Sequence, residues 1–131
     1  MINDQFSMNN ESMKYDLLER TAKFSESIIE IAGKIPKNII TMPIISQLVR
    51  AGTSVGANYC EANNASSKKD FRNKICICKK EIQETRYWLR ILLKAHPLAN
   101  KEIEPLADEA PQLNLIFNRI VETTDKNLNS H

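Results

Sequence analysis

QLVRAGTSVGANYCEANNASSKKDFRNKICICKKEIQETRYWLRILL, residues 47–93, joins two helical patterns through one short polar break. Upstream of the break, Ile44, Leu48, Val55 and Tyr59 recur on one face, with Ile45 and Val49 beside them. That recurrence at three and four predicts a helix starting near Thr41, an N-cap candidate with Pro43 in the first turn. Ala51, Gly52, Gly56 and Ala57 place very small side chains in the apolar row. A glycine inside a helix costs about 1 kcal/mol relative to alanine, so their presence implies close approach of another backbone. Downstream, Phe71, Ile75, Cys78, Ile82, Thr85, Leu89 and Leu92 keep heptad spacing from Lys68 to about Ala95, as a bundle seam requires. Ser67 followed by Asp70 reads as a capping box that opens this helix, with Asp in the usual Glu position. A neighbouring row of Lys74, Ile77, Glu81, Glu84, Trp88 and Ile91 makes the helix apolar on more than one side, which predicts packing against a second chain as well as its own.

Two further helices flank this pair. Leu17, Thr21, Phe24, Ile28, Ile31 and Ile35 set an apolar face over Asp16–Lys34, closed by Gly33 and Pro36. After the loop His96–Asn100, the row Ile103, Leu106, Ala110, Leu113, Phe117 and Ile120 passes through Pro105 and Pro111. Proline removes a backbone hydrogen bond, so the fourth helix should bend at Pro111 or begin late. Four helices, short loops and no credible strand predict an all-α, antiparallel up-down-up-down four-helix bundle.

At 131 residues, 42% hydrophobic and 26% charged, the chain has the size and balance of one helical domain. That domain is expected over residues 16–125, with residues 1–15 a flexible N-terminal tail and residues 126–131 a frayed C-terminus. No apolar run approaches the roughly 20 residues that span a bilayer, and the N-terminus lacks a secretory pattern. A cytoplasmic protein with no membrane role is expected.

Chemistry is sparse. His96 and His131 are isolated. Cys76 and Cys78 are two apart, so on a helix they diverge by about 200° and cannot clamp one ion; Cys60, Cys76 and Cys78 read as free thiols. Glu81 and Glu84 lack the Glu-x-x-His partners of a di-iron bundle, and Glu84 reads as a seam carboxylate facing Arg50 or another cation. No catalytic residue, metal site or cofactor is predicted, and the chain is not expected to be an enzyme.

Two polar patterns remain. Gln47, Arg50, Ser54, Asn58 and Glu61 form a stripe on the second helix, either a solvated face or a contact surface for a ligand or subunit. Lys68–Lys94 carries nine basic and three acidic residues, whereas the remainder of the chain carries nine basic and thirteen acidic. Arg72, Lys79, Arg86 and Arg90, at steps of seven, seven and four, form a basic line that is either a surface able to follow a phosphate backbone or an ordinary solvated face balanced by acidic neighbours.

QLVRAGTSVGANYCEA, SKKDF and KEIQETRYWLRILL together resemble the four-helix-bundle proteins encoded by intervening sequences within bacterial 23S rRNA genes. That family also includes the accessory protein of diversity-generating retroelements. The resemblance covers about residues 15 to 124, and the matching positions are Gln47, Arg50, Ser54, Asn58, Glu61, Asp70, Phe71 and Glu84. It implies a non-enzymatic homo-oligomer, a ring of five bundles, whose retroelement members hold nucleic acid and a reverse transcriptase on a basic surface. Many members carry Gly and then a basic residue after the position of Glu61, where this chain has Ala62, Asn63 and Asn64. Two expectations follow: a pentameric scaffold that binds RNA or DNA through the third helix, or a protein-interaction bundle with no nucleic-acid role.

Overall fold

The computed structural model describes the backbone of residues 2–129 and the side chains from residue 11 onward. Four α-helices follow in order: α1 (Ile2–Lys34), α2 (Thr41–Asn63), α3 (Lys68–Ala95) and α4 (Asn100–Asn129), with a 3-10 turn at Pro97–Ala99 before α4. They form the antiparallel bundle that the periodicity predicts. The α1–α2 and α3–α4 connections lie at one end, and the α2–α3 loop, the start of α1 and the end of α4 at the other.

Helix α1 differs from expectation at its start. The backbone is helical from Ile2, fourteen residues before Asp16, and among the side chains described, from residue 11 onward, the first buried one is Leu17. Residues 11–16 carry largely exposed side chains. Helix α4 likewise continues past Asp125 to Asn129, while Ser130 and His131 lie outside the described residues. Helix α4 also begins early, at Asn100, and runs through both prolines. Pro111 therefore leaves the carbonyl four residues before it without its intrahelical donor.

The core is a continuous apolar column. Leu17, Phe24, Ile28 and Ile31 of α1 meet Ile44, Leu48, Val55 and Tyr59 of α2, Ile75, Ile82, Leu89 and Leu92 of α3, and Ile103, Leu113 and Phe117 of α4. In the last turns of α4 the buried positions are Val121 and Thr124, with Ile120 only half-buried. A straight helix drifts about 20° per heptad, so toward the end of α4 the strict seven-residue row has turned off the core and Val121 lies nearer to it than Ile120. The buried threonines satisfy themselves locally. Thr21, Thr85 and Thr124 donate to the carbonyls of Leu17, Glu81 and Ile120 at 2.9, 2.7 and 2.7 Å.

The small residues of α2 do what their cost implies, and the backbone they admit is that of α1. A β-carbon at Gly52 would fall 2.7 Å from Ile28 Cγ1, and one at Gly56 would fall 3.3 Å from the Thr21 carbonyl oxygen. Ser25 Oγ crosses this contact to donate to the Gly52 carbonyl at 3.4 Å. Gly33, by contrast, is not a left-handed cap: no glycine has a positive φ, and α1 closes with Lys37 Nζ on the Ala32 and Ile35 carbonyls, at 2.9 and 3.2 Å. Nor is Thr41 the cap of α2. Asn38 Oδ1 accepts from Ile40 N and Thr41 N at 2.9 Å each, while the Thr41 hydroxyl donates to the Pro36 carbonyl at 2.7 Å. Ser67 does cap α3, accepting from Asp70 N at 3.0 Å.

The four seams are unequal. The α2–α3 seam is the most extensive, those of α3 with α4 and α1 with α2 are intermediate, and the α1–α4 seam is thin. A groove of about 310 Å³ runs along that thin seam between Phe24 and Ile31 on one side and Leu106 on the other. Arg20 clasps Glu109 across it, Nη2 to Oε1 at 2.7 Å and Nε to Oε2 at 3.0 Å.

Candidate nucleic-acid interface

The polar stripe of α2 lies along the α2–α3 seam. Arg50 is its centre: Nε donates to Gln47 Oε1 at 3.2 Å, Nη1 lies 3.4 Å from both Glu81 oxygens, and Nη2 makes a short contact with Glu84 Oε2. Further along, Asn58 Nδ2 donates to the Ser54 carbonyl at 2.8 Å, Ser54 Oγ donates to the Arg50 carbonyl at 2.5 Å, and Glu61 pairs with Lys74 at 3.2 Å. The expected meeting of Arg50 with Glu84 is present, and Glu81 joins it. One guanidinium thus serves two carboxylates. The hydrogen bond from Arg50 holds Glu84 below the usual carboxylate range, while burial pushes Glu81 up, helped by its hydrogen bond to Glu84.

This network has a consequence for α3. The second apolar row of α3 is largely absorbed within the chain: Trp88 and Ile91 are partly buried against the core, and Glu81 and Glu84 are held by Arg50. Ile77 is the large apolar member of that row left exposed. Asp70 belongs to the helix start, and Phe71 is half-buried beside a groove at the α2–α3 loop end, near Thr124.

The basic line of α3 divides into two halves. Near the N-terminal end, Arg72 is bound to Asp125 of α4, with a short Nε contact to Oδ1 and Nη2 to Oδ2 at 3.3 Å. That hydrogen bond raises the Arg72 pKa further, and it depresses the Asp125 carboxyl, to which Lys79 contributes a smaller electrostatic effect. Much of the positive charge here is offset. Toward the C-terminal end, Arg86 reaches only Gln83 Oε1 at 3.4 Å, and Arg90 and Lys94 are exposed with no ion pair among the described residues. Tyr87 stands among them with 54% of its surface exposed, its ring edge-on to Trp88 at 5.0 Å and 78°.

Neither Asp125 nor Tyr87 was legible as part of this surface. Asp125 sits in the polar tail of α4, and its meeting with Arg72 depends on the register of α3 against α4, which spacing along one helix does not report. An exposed aromatic three residues before Arg90 was the available signal for Tyr87. Among the described residues, no group of three or more His, Cys, Asp or Glu gathers as metal ligands would. No helix among them is long and apolar enough to cross a membrane.

A four-helix bundle with one strongly basic helix and a charged α2–α3 seam is the class that fold and surface define. The chain belongs to the 23S rRNA-intervening sequence protein family, whose model matches residues 13–119. It is similar to a crystal structure from Bacteroides thetaiotaomicron described as a protein of unknown function from the S23 ribosomal protein family. The two are 28% identical with a TM-score of 0.71, over 80% of this chain and 97% of that one. No catalytic family is indicated, and no curated protein matches the chain.

Proposed function

We propose that the protein is a non-catalytic, self-associating scaffold that holds nucleic acid against the C-terminal half of α3. The observation that carries this reading is the set of exposed side chains Arg86, Arg90 and Lys94, unpaired on a helix with nine basic and three acidic residues over Lys68–Lys94. Cations without acidic partners are free to replace the counterions of a phosphate chain, and their release drives association. Arg72 contributes less than its spacing promised, because Asp125 is hydrogen-bonded to it.

Self-association is supported by a different face. From Ala51 to Cys60 the chain carries no charge, and on the outer side of α2 Val49, Thr53, Ala57 and Cys60 lie in line. Ala22 and Ile29 of α1 flank them, both exposed. An uncharged, small-residue face suits close helix packing against another copy, and five copies is the number that the family resemblance implies. In a ring the basic half of α3 is repeated around the assembly, which multiplies its field.

The test is light scattering after size exclusion, with and without short single-stranded and duplex RNA, at low and physiological salt. A mass of several protomers that rises with nucleic acid and falls back as salt increases is expected. Arg86→Glu with Arg90→Glu should leave the assembly mass unchanged and reduce the slope of log affinity against log salt by about 1.4 on single strands and about 1.8 on duplexes, each lost phosphate contact contributing about 0.7 or 0.9. Wild-type protein indifferent to nucleic acid at low salt would leave the second reading, a protein-interaction bundle. The exposed Ile39, Ile40, Met42 and Leu98, gathered at the end of the bundle that holds two loops, favour it.

A further inference from the structure

We infer that Tyr87 is a stacking platform for an unpaired base, so that the basic half of α3 selects single-stranded over duplex nucleic acid. The inference rests on the nucleic-acid reading above and adds to it the conformation of the ligand. Tyr87 has more than half of its surface in solvent, yet its ring is not adrift: it makes a T-shaped contact with Trp88, the ring centroids 5.0 Å apart. Trp88 is itself seated against the core, so the platform is tied to the rigid part of the bundle.

The surroundings match what a single strand offers. On a helix, residues three, four and seven apart share a face. Gln83 lies one turn before Tyr87, Arg90 one turn after, and Lys80 and Lys94 two turns to either side, with Arg86 adjacent. A strand lying along α3 would therefore set phosphates against cations spaced over about 20 Å of helix while one base reaches the ring. Every base has a π-face, so stacking of this kind gives affinity with little sequence preference. In a duplex those faces are already covered by neighbouring bases. A duplex would meet the same cations and gain nothing from Tyr87.

The test compares wild type, Tyr87→Ala and Tyr87→Phe for binding to labelled 15-nucleotide single strands of RNA and DNA and to duplexes of the same length, by fluorescence anisotropy at low salt. The expected result is a loss of about tenfold on single strands for Tyr87→Ala, little change on duplexes, and near-wild-type binding by Tyr87→Phe. Trp88, the sole tryptophan of the chain, supplies a second readout, because a base placed on Tyr87 should alter its emission in the wild type. Equal single-strand affinities for wild type and Tyr87→Ala would overturn the inference while leaving the phosphate contacts of α3 standing. Absence of binding by the wild type to any strand would overturn both. A change of assembly mass in Tyr87→Ala would show Tyr87 to be a subunit contact and would also overturn the inference. The position is exposed and helical and Ala is a strong helix former, so the variant should fold.

Discussion

Replacing Gly52 with alanine tests the closest contact in the bundle. In a free helix the change would stabilise by about 1 kcal/mol, the ordinary difference in propensity. Here the new methyl would lie 2.7, 3.0 and 3.0 Å from the Cγ1, Cδ1 and Cγ2 of Ile28, a side chain with 0% exposure and nowhere to retreat. Overpacking of this kind costs about 1–3 kcal/mol, so Gly52→Ala should destabilise by about 1 kcal/mol net. Ile28→Ala alone should cost about 2–5 kcal/mol for the lost burial and the cavity. In the Ile28→Ala background all three obstructing carbons are gone, and Gly52→Ala should revert to a gain of about 1 kcal/mol. The double-mutant cycle should thus show a favourable coupling of about 2 kcal/mol. Gly33→Ala is the internal control: the site is helical, exposed and has nothing within 4 Å, so it should stabilise by about 0.5–1 kcal/mol. Urea unfolding followed by far-UV circular dichroism, at one fixed protein concentration, measures all four variants. An additive cycle, or a Gly52→Ala that stabilises as much as Gly33→Ala, would refute the reasoning.

Two further outcomes are expected. Burial pushes the Cys78 thiol up to about 12 and its Sγ is turned to the Val55 carbonyl, so a thiol reagent at pH 8 should modify Cys78 only after unfolding. Cys60, exposed in the single chain but on the face proposed to meet another copy, should react quickly in dissociated protein and slowly in the assembly. Three fast thiols in the native protein would contradict this. The Asp125 carboxyl is depressed below its ordinary 3.8 by Arg72, so the stability it contributes is present above that value and lost as pH falls through its folded pKa. Asp125→Asn should therefore flatten the acid limb of a stability-against-pH curve, and an unchanged limb would show that the pair does not persist in solution.

Periodicity reports burial, and it revealed the bundle wherever a face is buried. The rows through Ile28, Leu48, Ile82 and Phe117 were legible because each repeats at three and four over several turns. The helical stretch before Asp16 was not: residues 11–16, the part whose side chains are described, are largely exposed, and exposed positions leave no apolar period to read. Capping was half legible. Ser67 has its acceptor free to cap α3, whereas the Thr41 hydroxyl is drawn to Pro36 and Asn38 takes its place, a choice made by the turn as a whole. The seam pairing of Arg50 with Glu84 could be anticipated from facing stripes, since both residues sit in mid-helix. The pairing of Arg72 was not legible, because its partner is 53 residues away, at the far end of another helix.

The inequality of the four seams sets how the native bundle breathes. Helix α1 is fastened to α2 along one edge, where glycines bring the backbones together, and to α4 chiefly by the Arg20–Glu109 clasp beside an open groove. Detaching its α4 edge gives up less packed surface than opening any other seam, so the lowest-energy excursion is a swing of α1 about its α2 edge while α2, α3 and α4 stay joined. Each such swing bares Phe24, Ile31 and Leu106 together, so the burial of those three side chains, more than the part-exposed Arg20–Glu109 clasp, sets its cost.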